Sequence, residues 1–117
     1  MQDRVLGWLE DIRLAADDVL RFSSGLDLKA YLADELKRMA IERQLITMGE
    51  AMVQLANEFP EVSARVAEFR QVISFRNILV HRYRTLDHHM TYGIIREKLP
   101  GFRDKVASLI DEIENAE

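Results

Sequence analysis

The residues best suited to chemistry lie in one short stretch, Arg76-Asn77-Ile78-Leu79-Val80-His81-Arg82-Tyr83. It brings a guanidinium, a carboxamide, an imidazole and a phenol into eight positions. An imidazole titrates near neutrality and moves protons to and from hydroxyl groups. A guanidinium keeps its charge and grips phosphate oxygens in a planar fork, where it stabilises negative charge developing in a transition state. Together they suit phosphoryl chemistry that needs no metal. The electrostatic setting agrees. The chain carries a net charge of −4, yet no Asp or Glu occurs between Phe69 and Leu86, where Arg70, Arg76, Arg82 and Arg84 all fall. An acidic protein with one basic segment attracts a polyanion there and repels it elsewhere.

Spacing constrains how these groups could meet. On one straight helix, positions five apart point about 140° from each other, so Arg76 and His81 do not converge on a single phosphate. Asn77 and His81 share one side, joined by Ser74, and Arg76 and Tyr83 share another. A working site then needs a break in the helix or a second copy of the segment, and a two-fold dimer presents the same patch twice. Taken alone, Arg-x4-His also fits a structural histidine on an ordinary helix.

Other candidates are weaker. His88-His89 follows His81 by seven residues, but adjacent helical positions diverge by about 100° and no carboxylate cluster completes a metal set. No metal and no cofactor is expected, and the two histidines read as a solvated first helical turn. The acidic pairs Glu10-Asp11, Asp17-Asp18 and Asp111-Glu112 lie on polar helix faces. Trp8 borders an apolar stripe and reads as a core or dimer contact.

The elements that must position these groups are helical. Val5, Leu6, Leu9, Ile12, Ala16, Val19 and Leu20 predict an amphipathic helix over about residues 2–22, closed by Ser23-Ser24-Gly25. A second long helix starts at Asp27 or Asp34, both plausible caps, and runs to about Asn57. Its stripe is Leu32, Leu36, Met39, Ala40, Leu45, Ile46, Met52 and Leu55. Gly49 lies in its middle at a cost of about 1 kcal/mol, which suggests close approach of another backbone. After Phe59-Pro60, a third helical region runs from about Glu61 through Tyr83, with room for a bend. Thr85 or Asp87 caps a fourth, Pro100-Gly101 kinks or interrupts it, and Phe102 to Glu114 completes the chain. The expected fold is all-α, an antiparallel bundle of four to five helices forming a single domain over residues 1–117.

Composition limits the alternatives. Apolar residues make up 48% and charged residues 31%, with no cysteine, so disulfides, thiol catalysis and cysteine-ligated metals are all excluded. No apolar run approaches the roughly 20 residues of a membrane span, and the N-terminus lacks the pattern of a signal peptide. A cytoplasmic location is expected.

The stretch Phe75 to Tyr83, followed by Asp87, resembles the signature Arg-x4-His-x-Tyr of HepT-like HEPN proteins. Ile46-Thr47-Met48-Gly49-Glu50-Ala51 resembles that family's Gly-Glu-Ala segment in the second helix, and Tyr92-Gly93-Ile94-Ile95 with Leu99 to Phe102 resembles its C-terminal helices. The resemblance implies a HEPN-type bundle, dimeric, acting as a metal-independent endoribonuclease toxin in which a ribose 2′-hydroxyl attacks the adjacent phosphate. It implies that Arg76 stabilises the phosphorane, that His81 is general acid or base, and that Asn77 and Tyr83 support the site. Arg70, Arg82 and Arg84 are candidates to hold RNA. It further implies an MNT-type nucleotidyltransferase antitoxin that transfers AMP to Tyr83, placing bulk and negative charge where an RNA phosphate must sit. The alternative is a non-catalytic helical module that keeps the fold and uses the Arg76 patch to hold a nucleotide or a partner protein.

Overall fold

The computed structural model describes residues 2–116, which form helices joined by short turns, with no strand among them. Seven α-helices occur among the described residues: α1 (Gln2–Ser23), α2 (Leu28–Ala33), α3 (Glu35–Glu58), α4 (Pro60–Ser63), α5 (Phe69–His81), α6 (His88–Glu97) and α7 (Leu99–Asn115), with a 3-10 turn at Tyr83–Thr85. Five of them have ten or more residues, and the all-α class is as expected.

The helices begin and end where side chains satisfy the backbone. Gly25 has φ +78°, the one left-handed position among the described residues, and turns the chain out of α1. Both candidate caps in the next stretch are used. Asp27 accepts from the Ala30 N–H and opens α2, and Asp34 accepts from the Lys37 N–H and opens α3. The second predicted helix is therefore two helices meeting at Asp34.

The core forms around α1 and α3, which run antiparallel with Arg4 paired to Glu58. Leu9, Ile12, Ala16 and Val19 from α1 meet Ile41, Leu45, Met52 and Leu55 from α3, and α7 adds Phe102, Val106 and Ile110. The predicted stripe of the second helix fails at its start. Leu36 is 81% exposed, and Met39 and Ala40 are also exposed. Met39 and Ala40 lie three and four residues after Leu36 and share with it the outer face of α3, whereas Ile41, Leu45, Met52 and Leu55 recur on the opposite face, toward α1.

The third predicted helix is also divided. Pro60 opens the single turn α4, and residues 64–68 form turns held by Val66 N–H to Ser63 O and Phe69 N–H to Val66 O. Val66 is buried and anchors this corner. No Gly or Pro marks the break, so periodicity runs through it. Pro100 sits in the first turn of α7, where its missing N–H leaves no bond unmade. The break it was expected to cause falls just before it, at Lys98.

The outcome for the motif is that α5 packs on α3 and little else. Leu79 is its one fully buried residue, with Val72, Ile73, Phe75 and Ile78 half-buried on the core. The most chemically suggestive helix is thus mounted on the longest one, with much of its surface open.

Candidate active site

The crossing of α3 and α5 is set by Gly49. A Cβ placed on it would lie 2.2 Å from the Arg76 Cβ and 2.6 Å from its Cγ. Only a residue without a side chain admits Arg76 at this point, which accounts for a glycine in mid-helix despite its conformational cost. The side chain of Arg76 is then directed by its neighbours. Nη2 lies 3.3 Å from Glu50 Oε1, and Nη1 donates to Asn77 Oδ1 at 2.8 Å. The side chain is 23% exposed, and its Nε is buried without a partner among the described residues. Asn77 thus supports Arg76 directly. Glu50, a residue not singled out as a candidate from the sequence, is its second support. The signal for Glu50 was present in the mid-helix glycine beside it.

His81 is the last residue of α5 and is exposed. Arg82 ends the helix, its N–H donating to Ile78 O at 2.8 Å. Tyr83 opens the 3-10 turn, which is closed by Leu86 N–H to Tyr83 O, and Thr85 bonds back to Arg82 O through both its amide and its hydroxyl. Tyr83 is 54% exposed. Because α5 ends before it, the seven-residue alignment of Arg76 with Tyr83 does not apply. Tyr83 instead shares a shallow, open depression with Val80, His81, Arg82, Arg84 and Thr85.

The site residues therefore fall into two groups. His81, Arg82, Tyr83 and Arg84 line one surface hollow. Arg76 and Asn77 lie on the flank of the same helix beside Glu50, outside that hollow. No break separates Arg76 from His81, since α5 is continuous between them. Arg70 stands in the first turn of α5 with its guanidinium 5.4 Å from the Phe69 ring centroid. It is about 16 Å along the axis from His81.

The two remaining histidines differ from their expected solvated turn. His89 is exposed, but His88 is half-buried, with its Nδ1 out of solvent and 3.8 Å from Glu42 Oε2. Its place in the first turn of α6 is set by Asp87, which accepts from the Met90 N–H and packs His88 back toward α3. Among the described residues no three His, Asp or Glu side chains are grouped to hold a metal ion. No helix there is long and apolar enough to cross a membrane.

Comparison with known proteins agrees with the arrangement. Residues 12–109 match the family model described as Ribonuclease HepT-like. A Methanocaldococcus jannaschii protein named "Putative RNase MJ1380" is 30% identical over 102 residues, covering 87% of this chain and 93% of that protein. A Thermococcus cleftensis protein named "Probable ribonuclease HepT" is 26% identical over 102 residues, covering 87% and 92%. No solved structure gives a significant match. With the family match running from the middle of α1 into α7 and across the whole of the Arg76–Tyr83 segment, the chain belongs to the HepT-like ribonuclease family.

Proposed function

We propose that this protein is a metal-independent endoribonuclease, the toxin of a toxin–antitoxin pair, working as a homodimer. The observation that carries the reading is the exposed His81 at the end of α5 among Arg82, Tyr83 and Arg84, with Arg76 held on the same helix by Asn77 and Glu50. In the proposed reaction the ribose 2′-hydroxyl attacks the neighbouring phosphate and the 5′-oxygen leaves, giving a cyclic phosphate end. His81 moves the protons, and Arg76 stabilises the charge on the phosphorane. Arg82 and Arg84 attract the RNA backbone to an otherwise acidic protein, and Arg70 extends the basic track along α5.

The dimer follows from the helix. On an unbroken α5, Arg76 and His81 point about 140° apart, so one phosphate is best reached by Arg76 of one protomer and His81 of the other. Val80 is a large apolar group exposed beside the motif, as a self-complementary contact would use. Tyr83 also suits a switch. An accessible phenol two residues from His81 accepts AMP from a nucleotidyltransferase antitoxin, and the adenylate then fills the hollow that RNA must enter.

The test is direct. Purified protein cleaves RNA in the presence of EDTA, and Arg76→Ala and His81→Ala each abolish cleavage while keeping helical content. Incubation with the antitoxin and ATP adds the mass of AMP, and Tyr83→Phe blocks the addition. Cleavage that survives both alanine substitutions removes the assignment.

A further inference from the structure

Directly downstream of the motif lies a cluster of buried ionisable groups that the proposed chemistry does not use. Glu42, on α3, is 4% exposed. Among the described residues its one ionisable partner within ion-pair range is His88, in the first turn of α6, at 3.8 Å. Arg38, one turn before Glu42, is engaged elsewhere: its Nη1 donates to the backbone carbonyls of Tyr31, at 3.3 Å, and Leu32. Tyr31 is fully buried and its hydroxyl has no partner among the described residues. The His88 Nδ1 is likewise buried and unpartnered.

Two arrangements give this pair a donor and an acceptor. In one, an Nδ1–H donates to a buried carboxylate, which leaves a charge with no cation in ion-pair range among the described residues. In the other, a carboxyl O–H donates to Nδ1, which leaves no charge and is favoured by burial. We propose that Glu42 and His88 form a one-proton latch, in which the Glu42 carboxyl donates to His88 Nδ1, ties the first turn of α6 to α3, and so positions the loop that carries Tyr83. The bond requires the pair to close from 3.8 Å to about 2.8 Å.

Burial is what favours an uncharged pair, while the charge of Arg38 acts in opposite senses on its two members. Burial pushes the Glu42 carboxyl up, against the pull of Arg38. Burial pushes the His88 imidazole down, helped by Arg38 and His89 and opposed by Asp87. Tyr31, facing from α2, is pushed up to about 12 by burial and then by Glu42, so it stays a neutral phenol. These are the titratable and charged groups around the pair from α2, α3 and α6.

The latch matters because of where it acts. The 3-10 turn packs mainly on the end of α5 from which it issues, and the next fixed points are Leu86 and the first turn of α6. Residues 82–87 hang between two ends. The second is held by buried Leu86 and Thr91 and by the packing of α6 on α7 and α2, and His88 adds a link to Glu42 of α3. Glu42 and His88 are thus positioning residues for the ribonuclease reading, on which their functional role rests.

Imidazole nitrogen NMR and amide hydrogen exchange on the full-length chain test this without relying on cleavage. In the wild type, His88 carries its hydrogen on Nε2 and accepts at Nδ1. Glu42→Ala and His88→Ala each raise exchange over residues 82–88 by about tenfold, while the carboxamide of Glu42→Gln, which still donates, keeps it within about twofold of wild type. Cleavage falls in both alanine variants and is rescued in Glu42→Gln. Unchanged exchange in both folded alanine variants, or a hydrogen on Nδ1 of His88, overturns the latch. If exchange follows the expectation but the wild type cleaves no RNA, the latch stands and the ribonuclease reading fails. If the wild type cleaves and the alanine variants alter neither exchange nor cleavage, the latch alone fails.

Discussion

At position 49 two effects of an added methyl group oppose each other. Alanine improves helix propensity by about 1 kcal/mol over glycine in a helix interior. Against this, its Cβ would meet the Arg76 Cβ at 2.2 Å, and that contact belongs to the stem of the side chain near the backbone, not to a flexible tip. Overpacking of this kind costs about 1–3 kcal/mol. The steric cost is expected to win, so Gly49→Ala should lower stability, by up to about 2 kcal/mol, in denaturant unfolding. It should also weaken cleavage, since α5 relieves the clash by carrying Arg76 away from Glu50. A Gly49→Ala protein that is more stable and fully active would show that the two helices do not cross this closely. The same argument explains why Glu50 was hard to see from the sequence. Its role depends on Arg76 arriving beside it from 26 positions away.

Among the elements, α5 and α6 decide whether the motif is usable. One ends at His81 and the other starts at His88, so the Tyr83 loop inherits its geometry from a C-terminus and an N-terminus. The start of α6 depends on Asp87, whose carboxylate accepts from the Met90 N–H at 3.1 Å. Losing an N-cap aspartate typically costs about 1 kcal/mol. Asp87→Ala is therefore expected to destabilise the protein by about 1 kcal/mol in thermal or denaturant unfolding, with Asp87→Asn recovering most of it. If alanine and asparagine were equivalent at this position, the cap would not be what starts α6. Asp27 and Asp34 do the same work for α2 and α3, and in all three cases the capping residue was legible as a polar residue just ahead of an apolar repeat.

For the whole molecule, the proposed dimer makes a prediction that a single-subunit site does not. If each site combines Arg76 from one protomer with His81 from the other, a mixed dimer of Arg76→Ala and His81→Ala chains contains one intact site. Random mixing makes half the dimers mixed, so refolding the two inactive variants together should restore about a quarter of wild-type cleavage. A site built within one chain would restore none. Co-refolding followed by a cleavage assay separates the two.

The amino-acid sequence by itself determined the helical class, the main amphipathic helices, the caps and the segment that carries Arg76, His81 and Tyr83. These depend on local periodicity and on side chains that bond their own backbone, which a linear reading captures. It did not determine the break at residues 64–68, because no turn residue marks it, nor the exposure of Leu36 and Met39, because apolar residues occur on two faces of α3 and only packing decides which face is covered. Only the tertiary structure paired Arg76 with Glu50 and His88 with Glu42. Each of those contacts joins residues from helices distant in the chain, and the energy of a buried or crowded side chain is fixed by what the other helix brings to it.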